Sequence, residues 1–442
     1  MGSGGVVGVD SINFPQFDGL EIEIADANNL AVGLKVNASY VKLQGLTILG
    51  FGNGGAGNHA NIVVSGNIKH VVIEKNILGI RANSMNRPDS VIYTGGSNIV
   101  INGSDSGIIR QNLLAWAGVA GIYATADADS WLVEYNESCS NGFGYSVLDG
   151  MDYATSSGKQ IIRYNKIYNN AANGLDSYLS NGYNVIENNS IYNNGIINWE
   201  NSGIRVYGEN DIIRKNIIHS NRGSGILITS AADYHIISQN SIWGNGAFAS
   251  NGIAATKAIG INLITTTENH SKGSSPYYTL NDFGDYDIGG NGLINYPVIS
   301  SVRIMPDSIE IEGFASEGSK IEFFIGDTLA SAIFPQGKYY LFSANEGSSS
   351  DYDNTWGSYG PMPFNGINQG SDSTAKFKFI FPLNNYITNG SIITATATKG
   401  NRTSEFSPAA KAYFGNPVIK PVLDCIFPNA NNSYTAVFGY NN

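Results

Sequence analysis

Cysteine and charge are scarce in this chain. Its 442 residues include two cysteines, Cys139 and Cys425, which lie in different predicted domains, so the sequence argues against a disulfide framework. Only 14% of the residues are charged, and the net charge of −11 argues against a nucleic-acid partner. No apolar run is long enough to span a bilayer, so we expect no direct membrane insertion.

Familiar signatures of targeting and catalysis are also missing. The first residues carry no secretory signal, and the opening MGSGG is typical of a recombinant start that replaces a leader peptide. The sequence contains neither a GxSxG motif nor a P-loop. Its histidines are scattered without metal-ligand spacing: His59, His70, His219, His235 and His270.

What the chain has instead is a short repeated phrase, in which two apolar residues and a polar pair precede an asparagine. Three of the intervals between these asparagines are 24 residues long, a period that is typical of a solenoid. In most units a second asparagine follows five residues later, and a glycine opens the next segment. The marker asparagines are Asn76, Asn112, Asn136, Asn165, Asn189, Asn216 and Asn240.

These units predict stacked coils of short strands. Each unit is too short and too rich in β-branched residues for a helix pair, and it can bury its apolar face only against neighbouring units. Stacking places equivalent residues about 4.8 Å apart, so each marker asparagine can hydrogen-bond to the next. We also expect these asparagines to supply the left-handed backbone of a sharp corner.

The pattern resembles the parallel β-helix repeat over roughly residues 30–265, and parallel crossovers are usually right-handed. We therefore predict an all-β chain that opens with a right-handed parallel β-helix over residues 1–268, followed by an antiparallel β-sandwich.

Two positions before each marker asparagine, acidic and basic residues alternate. In stacked coils they form one outer column, which is either a ladder of ion pairs that fixes the register or a charged binding stripe. The ladder is favoured because a stripe for one kind of polymer carries mostly one sign. The column consists of Glu74, Arg110, Glu134, Arg163, Glu187, Arg214 and Ser238.

Residues 269–296 form an Asp- and Gly-rich connecting loop. Within it, Asp282, Asp285, Asp287 and Asn291 are crowded into ten residues that contain three glycines, and Gly292 follows directly. Hard oxygen ligands on a Gly-rich loop suit Ca²⁺, although the spacing is not that of an EF-hand. The alternative is a solvated turn in which these side chains cap their own backbone.

From residue 297 onwards, apolar and polar residues alternate, which is typical of half-buried antiparallel strands. We predict an Ig-like β-sandwich over residues 297–415. The segments that carry the alternation are 308–315, 320–327, 375–382 and 391–398.

Two further segments attract attention beyond these strands. The long loop 348–370 contains Trp356, Tyr359 and Phe364, which form either a sugar-binding patch or a lid packed on the sandwich. Residues 416–442 begin a new strand pair, and we interpret them as the start of a further module or a linker.

The order of these parts resembles large secreted bacterial surface proteins, in which a pectate-lyase-like β-helix precedes an Ig-like sandwich. The resemblance implies a secreted or cell-surface, adhesin-like protein, and it brings no catalytic residues with it. The segments that carry the resemblance are GINL (260–263), NDFGDYDIGG (281–290), EFF (322–324), GSYGPMPFNGINQGSDS (357–373) and TSEFS (403–407).

Aligning the segments that follow each repeat glycine predicts one outward patch. Tyr123, Ser146, Asp176 and Arg205 fall at one level, and Tyr178 and Tyr207 lie two positions beyond it. Aromatic rings beside a carboxylate and a guanidinium suit a sugar, so the predicted ligand-binding set is Tyr123, Asp176, Tyr178, Arg205 and Tyr207. The alternative is a surface ion pair beside an ordinary aromatic stack.

Two functions follow from this patch. The first is an adhesin-like protein that binds a polysaccharide or a cell-surface glycan, with further modules of the same polypeptide as neighbours. The alternative is a lyase or glycoside hydrolase that acts on an acidic polysaccharide along the β-helix face, with Asp149, Asp176, Glu200 and Arg205 as candidate catalytic residues.

Known motifs do not decide between these functions. Neither the paired-Asp pattern of polygalacturonase-like enzymes nor the Asp-Pro-His-Glu signature of alginate epimerases occurs in the sequence. A purely structural spacer is a third possibility. The irregular intervals and the predicted loop insertions 79–106 and 146–159 argue against it, since such insertions often build a binding face.

Overall fold

A computed structural model describes most of the chain. The described residues are 6–7, 12–13, 22–53, 57–82, 84–89, 93–144, 149–155, 157–197, 202–249, 252, 254–364, 366–415, 420–431 and 433–441. Near the start, β1 (Val6–Val7) and β2 (Ile12–Asn13) pair antiparallel. Across the described ranges, no helix is both long and apolar enough to cross a membrane.

A long series of short strands then builds the solenoid. Its first half consists of β3 (Ile22–Ala25), β4 (Val32–Val36), β5 (Lys42–Gln44), β6 (Leu46–Leu49), β7 (Ala60–Ser65), β8 (Val72–Glu74), β9 (Ile77–Leu78), β10 (Ser97–Asn102), β11 (Ile108–Arg110), β12 (Leu113–Ala115), β13 (Ile122–Thr125), β14 (Leu132–Glu134) and β15 (Glu137–Cys139). Its second half consists of β16 (Met151–Tyr153), β17 (Ile161–Arg163), β18 (Lys166–Tyr168), β19 (Leu175–Asp176), β20 (Val185–Glu187), β21 (Ser190–Tyr192), β22 (Ile204–Val206), β23 (Ile212–Arg214), β24 (Ile217–His219), β25 (Ile226–Ile228), β26 (Ile236–Ser238), β27 (Ser241–Trp243) and β28 (Ile261–Leu263).

Every third strand of this series belongs to the same parallel sheet. Sheet I begins at β4 and ends at β28, sheet II runs from β5 to β26, and sheet III runs from β3 to β27. Isoleucine, leucine and valine side chains from all three sheets fill the interior as one continuous core. The chain is therefore a right-handed parallel β-helix, which confirms the predicted fold class.

The marker asparagines form the predicted ladder inside the wall of the solenoid. The side-chain oxygen of each one accepts hydrogen bonds from the backbone N–H and the side-chain amide of the preceding one, at 2.9 to 3.0 Å. Each amide also donates to a backbone carbonyl of the preceding coil, as Asn136 does to Ile109. This ladder satisfies the polar backbone of a corner that is closed to water.

The left-handed residue of each corner is not the marker asparagine, contrary to the sequence prediction. The residue immediately before the asparagine adopts a positive φ of 55° or 56° in every coil from Lys75 to Gln239. The two residues have separate roles, because the first turns the backbone and the asparagine side chain points inward to hydrogen-bond to the next coil. The left-handed set is Lys75, Gln111, Tyr135, Tyr164, Asn188, Lys215 and Gln239.

The alternating column of charges is an ion-pair ladder, as the sequence favoured. Each arginine pairs with the glutamate of the preceding coil: Arg110 with Glu74 at 2.6 Å, Arg163 with Glu134 at 2.9 Å, and Arg214 with Glu187 at 2.7 Å. The strands of sheet II are in register along the whole column, from Glu74 to Ser238.

The two predicted insertions contain ordinary strands of the solenoid, which corrects their assignment as loops. Residues 97–102 form β10, and residues 151–153 form β16, both in sheet I. Their inward side chains Ile99 and Met151 join the common core. The repeat glycine and asparagine spacing varies here, so the period alone concealed these strands.

The C-terminal part is built from β29 (Val298–Ile304), β30 (Ser308–Ala315), β31 (Lys320–Asp327), β32 (Gln336–Asn345), β33 (Trp356–Tyr359), β34 (Asp372–Pro382), β35 (Ile392–Lys399), β36 (Arg402–Thr403), β37 (Ala410–Lys411) and β38 (Tyr413–Phe414). A short 3₁₀ turn, Gly290–Leu293, precedes them, and a separate hairpin follows, formed by β39 (Lys420–Pro428) and β40 (Tyr434–Asn441).

These strands form the predicted sandwich. One sheet has the order β33–β34–β30–β29–β38, and the other has the order β32–β31–β35, with β36 and β37 both paired to β35. Side chains from both sheets share one core, in which the rings of Phe323 and Phe377 lie 6.0 Å apart. Strands β30 and β31 have the bounds that the alternation predicted.

The sandwich closes the last coil of the β-helix. Glu322 of β31 accepts hydrogen bonds from the Ser238 hydroxyl at 2.6 Å and from the Gln239 N–H at 2.8 Å. Gln336 of β32 accepts hydrogen bonds from the backbone and side-chain N–H groups of Asn245, at 3.1 and 3.0 Å. Asn245 is the last rung of a second asparagine ladder, which runs through Asn141, Asn170, Asn194 and Asn221. The two parts therefore form one joined structure across this interface.

A third ladder of mixed residues runs to the same interface. Its rungs are the side chains of Gln160, Asn184, Asp211, His235 and Asn291, and each rung accepts the backbone N–H of the previous one. Burial raises the pKa of Asp211 to about 7 and lowers the pKa of His235 to about 4. Two titratable groups thus occupy positions that amides hold elsewhere in the ladder.

Replacing Asp211 by asparagine should stabilise the protein more in mild alkali than in mild acid. The folded state holds a proton on Asp211 that the unfolded chain releases near 3.8, so unfolding becomes easier as the pH rises through this window. Asp211→Asn removes that loss, and we expect its melting temperature to exceed that of the wild type by several degrees near pH 8.

Thermal unfolding of both proteins at about pH 5 and about pH 8 measures this difference. His235 titrates in the opposite sense and its Nδ1 lies 3.5 Å from Asp211 Oδ2, so the comparison is repeated with His235→Gln in both proteins. An equal effect of the substitution at both pH values would contradict the buried, protonated Asp211.

Candidate functional site

The candidate site lies on the outer face of sheet I. Register pairs Tyr123 with Asp152, Asp152 with Asp176, and Asp176 with Arg205, so these four side chains form one column across four coils. Leu227 continues the column in the next coil. Tyr123, Asp176 and Arg205 thus share one level, as the sequence predicted.

Asp152 replaces Ser146 in this column, which corrects the predicted alignment. Two glycines, Gly144 and Gly150, fit the start of this coil in sequence, and the strand follows Gly150. A signal was present, since a polar residue directly precedes the glycine in the three coils that follow, at Asn173, Ser202 and Ser224. Ser146 lies outside the described residues.

Asp149 supplies that polar residue. Its side-chain oxygen accepts the backbone N–H of Asn173 at 2.5 Å, and the Asn173 side chain accepts the N–H of Ser202 at 2.9 Å. Asp149 is therefore one rung of a corner ladder, at the edge of the column rather than on it. This role explains its complete burial.

Arg205 and Asp176 form a buried, two-pronged ion pair. The guanidinium donates from Nε to Oδ1 at 3.0 Å and from Nη2 to Oδ2 at 2.5 Å, and both side chains are 2% exposed. A guanidinium that donates two hydrogen bonds to one carboxylate fixes the orientation of both side chains. The predicted surface ion pair is thus an interior one.

Two tyrosine rings cover this pair. The Arg205 guanidinium carbon lies 5.9 Å from the ring centre of Tyr178 and 5.4 Å from that of Tyr207. The rings meet edge to face, with centres 5.2 Å apart and planes at 78°. In this arrangement a ring face remains available, and the Tyr178 side chain is 42% exposed.

The aromatic column on sheet III has a different geometry. Tyr168, Tyr192, His219 and Trp243 stack face to face, with planes within 4° and centres 4.2 to 5.1 Å apart. Rings stacked in this way offer their edges to a ligand and their faces to one another. The Tyr178–Tyr207 pair is therefore the better sugar platform of the two.

Three carboxylates converge beneath the tyrosines. One ligand oxygen each from Asp149, Asp152 and Asp176 lies within 4.8 Å of the others, and all three residues are buried. Tyr123 borders this cluster, and its pKa is raised by burial and by the nearby negative charge of Asp152. Arg205 supplies the positive charge that the cluster contacts directly.

The structure thus brings together every predicted ligand-binding residue and adds Asp152. Of the four candidate catalytic residues, Asp149, Asp176 and Arg205 are gathered here, and Glu200 lies outside the described residues. Asp152 was missed as a site residue because the strand that carries it was mistaken for a loop.

The predicted cation site splits into two parts. Ligand oxygens of Asp282, Asp285 and Asp287 lie within 4.8 Å of one another. Asn291 instead ends the third ladder, because its oxygen accepts the His235 N–H and its amide donates to the carbonyls of His235 and Thr403. Its amide is committed to the backbone, so the candidate ligand set narrows to three aspartates.

The carboxylates of the three aspartates repel one another. Burial, followed by the charges of Asp282 and Asp285, raises the pKa of Asp287 to about 7. Oδ1 of Asp282 and Oδ1 of Asp287 are buried and accept no hydrogen bond within the protein. Hard oxygens that crowd together in this way fit a divalent cation such as Ca²⁺.

Comparison with known proteins agrees on the fold. Residues 68–242 match the family model described as the right handed beta helix region. Among curated proteins, none matches the sequence.

Three solved structures match the chain at low similarity. The Dettilon tailspike protein (gp208) is 13% identical with a TM-score of 0.31, over 87% of this chain and 83% of that one. The A-module of the mannuronan C-5 epimerase AlgE6 from Azotobacter vinelandii is 14% identical with a TM-score of 0.29, over 59% and 73%. Tailspike protein 2 from the Escherichia coli O157:H7 bacteriophage CAB120 is 9% identical with a TM-score of 0.32, over 87% and 55%. Values this low assign no activity to this chain.

Removing the charge of Arg205 should destabilise the fold strongly. Arg205→Met leaves the Asp176 carboxylate buried beside two others, and we expect a loss of about 3–5 kcal/mol in the free energy of unfolding. The double variant Asp176→Asn, Arg205→Met should recover part of that loss, because it also removes the carboxylate that Arg205 pairs with directly.

Chemical denaturation of the purified variants measures these differences. Arg214→Met is the matched control, since Arg214 pairs with Glu187 at an exposed position and should cost less than about 1 kcal/mol. Equal losses at both arginines would contradict the interior role of the Arg205–Asp176 pair.

Proposed function

We propose that this chain is an adhesin-like, glycan-binding protein whose β-helix binds a saccharide at the Tyr178–Tyr207 platform. The observation that supports this most directly is the position of Arg205, which is locked to Asp176 and lies beneath both rings. An exposed aromatic platform held by a rigid polar base suits a pyranose, whose C–H face packs on a ring while its hydroxyls find polar groups. Tyr123 extends the platform along the solenoid axis.

Burial favours binding over catalysis at this platform. A general acid or base must come within hydrogen-bond reach of its substrate, whereas Asp149, Asp152 and Asp176 are at most 3% exposed. The half-exposed tyrosines are the groups that a passing polymer can touch. The charged residues act mainly by positioning those rings.

The second candidate is a polysaccharide lyase or glycoside hydrolase that acts on an acidic polysaccharide. The observation that favours it is the carboxylate cluster, since paired carboxyl groups flank the scissile bond in most glycosidases. The reacting groups would then be Asp152 and Asp176, with Arg205 neutralising negative charge on the substrate. This role requires the site to open to the polymer.

We propose that the protein is extracellular or lies on the cell surface, where a β-helix closed by the sandwich can present the platform to a glycan. The partners would be a polysaccharide or a cell-surface glycan and further modules of the same polypeptide.

Loss of either platform ring should weaken glycan binding. We expect Tyr178→Ala and Tyr207→Ala each to reduce the affinity for bound glycans about tenfold on an array of plant, algal and bacterial polysaccharides, since each removes one ring face. Tyr164→Ala is the control, because Tyr164 stacks on Tyr135 at a corner of sheet II, away from the platform.

The same panel separates the two candidate functions. Binding without any release of reducing ends or unsaturated uronates supports the adhesin. Turnover by the wild type that Asp152→Asn and Asp176→Asn abolish, with the fold retained, would replace it by the enzyme. Full glycan binding by both tyrosine variants would rule out this platform.

We also propose a structural Ca²⁺ at Asp282, Asp285 and Asp287. A divalent cation would relieve the mutual repulsion of these carboxylates, so EGTA should lower the melting temperature, and added Ca²⁺ should restore it. Asp287→Asn should shrink that difference, whereas Asp307→Asn, at an exposed position elsewhere, should leave it intact. A melting curve that is indifferent to EGTA would contradict the site.

A further inference from the structure

A groove of about 550 Å³ lies where the connecting segment meets the sandwich. One wall is the segment around Phe283 and Asp285, and the other is formed by Trp356 of β33 and the start of β34 at Asp372. The two walls are tied together, because the Gly284 N–H donates to Asp372 Oδ1 at 3.1 Å. The groove is therefore a fixed feature of the junction.

Two large aromatic side chains at this groove are exposed. Phe283 is 65% exposed, and Trp356 is 59% exposed, although a buried aromatic cluster lies close by in sequence and space. Tyr359 and Phe364, from the same long loop, pack against Phe314 at 5.4 and 6.2 Å. The predicted lid is thus correct for those two residues, whereas Trp356 stays in solvent beside the groove.

The polar lining of the groove carries a net negative charge. Apart from Asp285, which is assigned to the proposed Ca²⁺, it includes the carboxylates of Glu317 and Asp372, together with Lys399 and Arg402. Arg402 is already engaged, since its guanidinium donates twice to Asp233, at 2.6 Å each. Carboxylates accept hydrogen bonds from hydroxyl groups and repel acidic ones.

We propose that this groove is a second saccharide-binding site, which takes a glycan without acidic groups. Trp356 and Phe283 supply ring faces for the pyranose, and Glu317 and Asp372 accept hydrogen bonds from its hydroxyls. The charge of the lining excludes uronates and other anionic sugars. The site belongs to the sandwich and the connecting segment, so it does not depend on the tyrosine platform of the β-helix.

A glycan array that carries both neutral and uronate-containing oligosaccharides tests the proposal, with the full chain as the probe. Trp356→Ala should lose a set of neutral glycans that the wild type binds, and isothermal titration calorimetry should show affinities for them at least about tenfold weaker. Tyr352→Ala is the matched control, because Tyr352 is 66% exposed on the same loop but does not line the groove. That variant should keep the wild-type pattern.

Each result on the array has a definite meaning. The glycans that depend on Trp356 should stay bound by Tyr178→Ala, which separates this site from the β-helix platform. An identical pattern for wild type and Trp356→Ala overturns the proposal. Loss of acidic glycans rather than neutral ones overturns it as well. An unchanged melting temperature for Trp356→Ala confirms that any loss reflects binding and not unfolding.

Discussion

The whole molecule depends on one constraint, which is that the backbone at each buried corner must find hydrogen-bond partners in the coil above and the coil below. Asparagine meets it because its side-chain oxygen accepts from the previous coil, while its amide N–H groups donate to the next asparagine and to a carbonyl of the previous coil. From Asn76 to Asn240, the same exchange recurs without a break. Register follows directly, since a slip of one residue would leave every rung unpaired.

A ladder of this kind has an open end, and the sandwich provides its closure. Glu322, Gln336 and Asn291 each accept an N–H group that would otherwise have no further coil to meet. The same contacts fix the angle between the two parts of the chain. They also create the junction groove, because the connecting segment must cross from the last coil to the first strand of the sandwich.

The candidate sites lie where the repeat is broken. On sheet I, the outer column changes from valine at Val100 to Tyr123, Asp152, Asp176 and Arg205, and returns to leucine at Leu227. Four coils of charged and aromatic residues thus take the place of the apolar residues that the column carries on either side. The buried ion pair is worth little to stability on balance, so a role in orienting the rings is the better account of it.

The sequence by itself determined the fold class, the asparagine and ion-pair ladders, and the strands β30 and β31, because each rests on a local period. It also identified Tyr123, Asp176, Tyr178, Arg205 and Tyr207 as neighbours. It failed at Asp152, since two glycines fitted the same coil start, and stacking against β13 and β19 selects Gly150. It misassigned Asn291 as a cation ligand, since an asparagine side chain suits both a ladder rung and a cation site. Tertiary structure decided these points because they depend on what lies one coil away, and that distance along the chain varies from coil to coil.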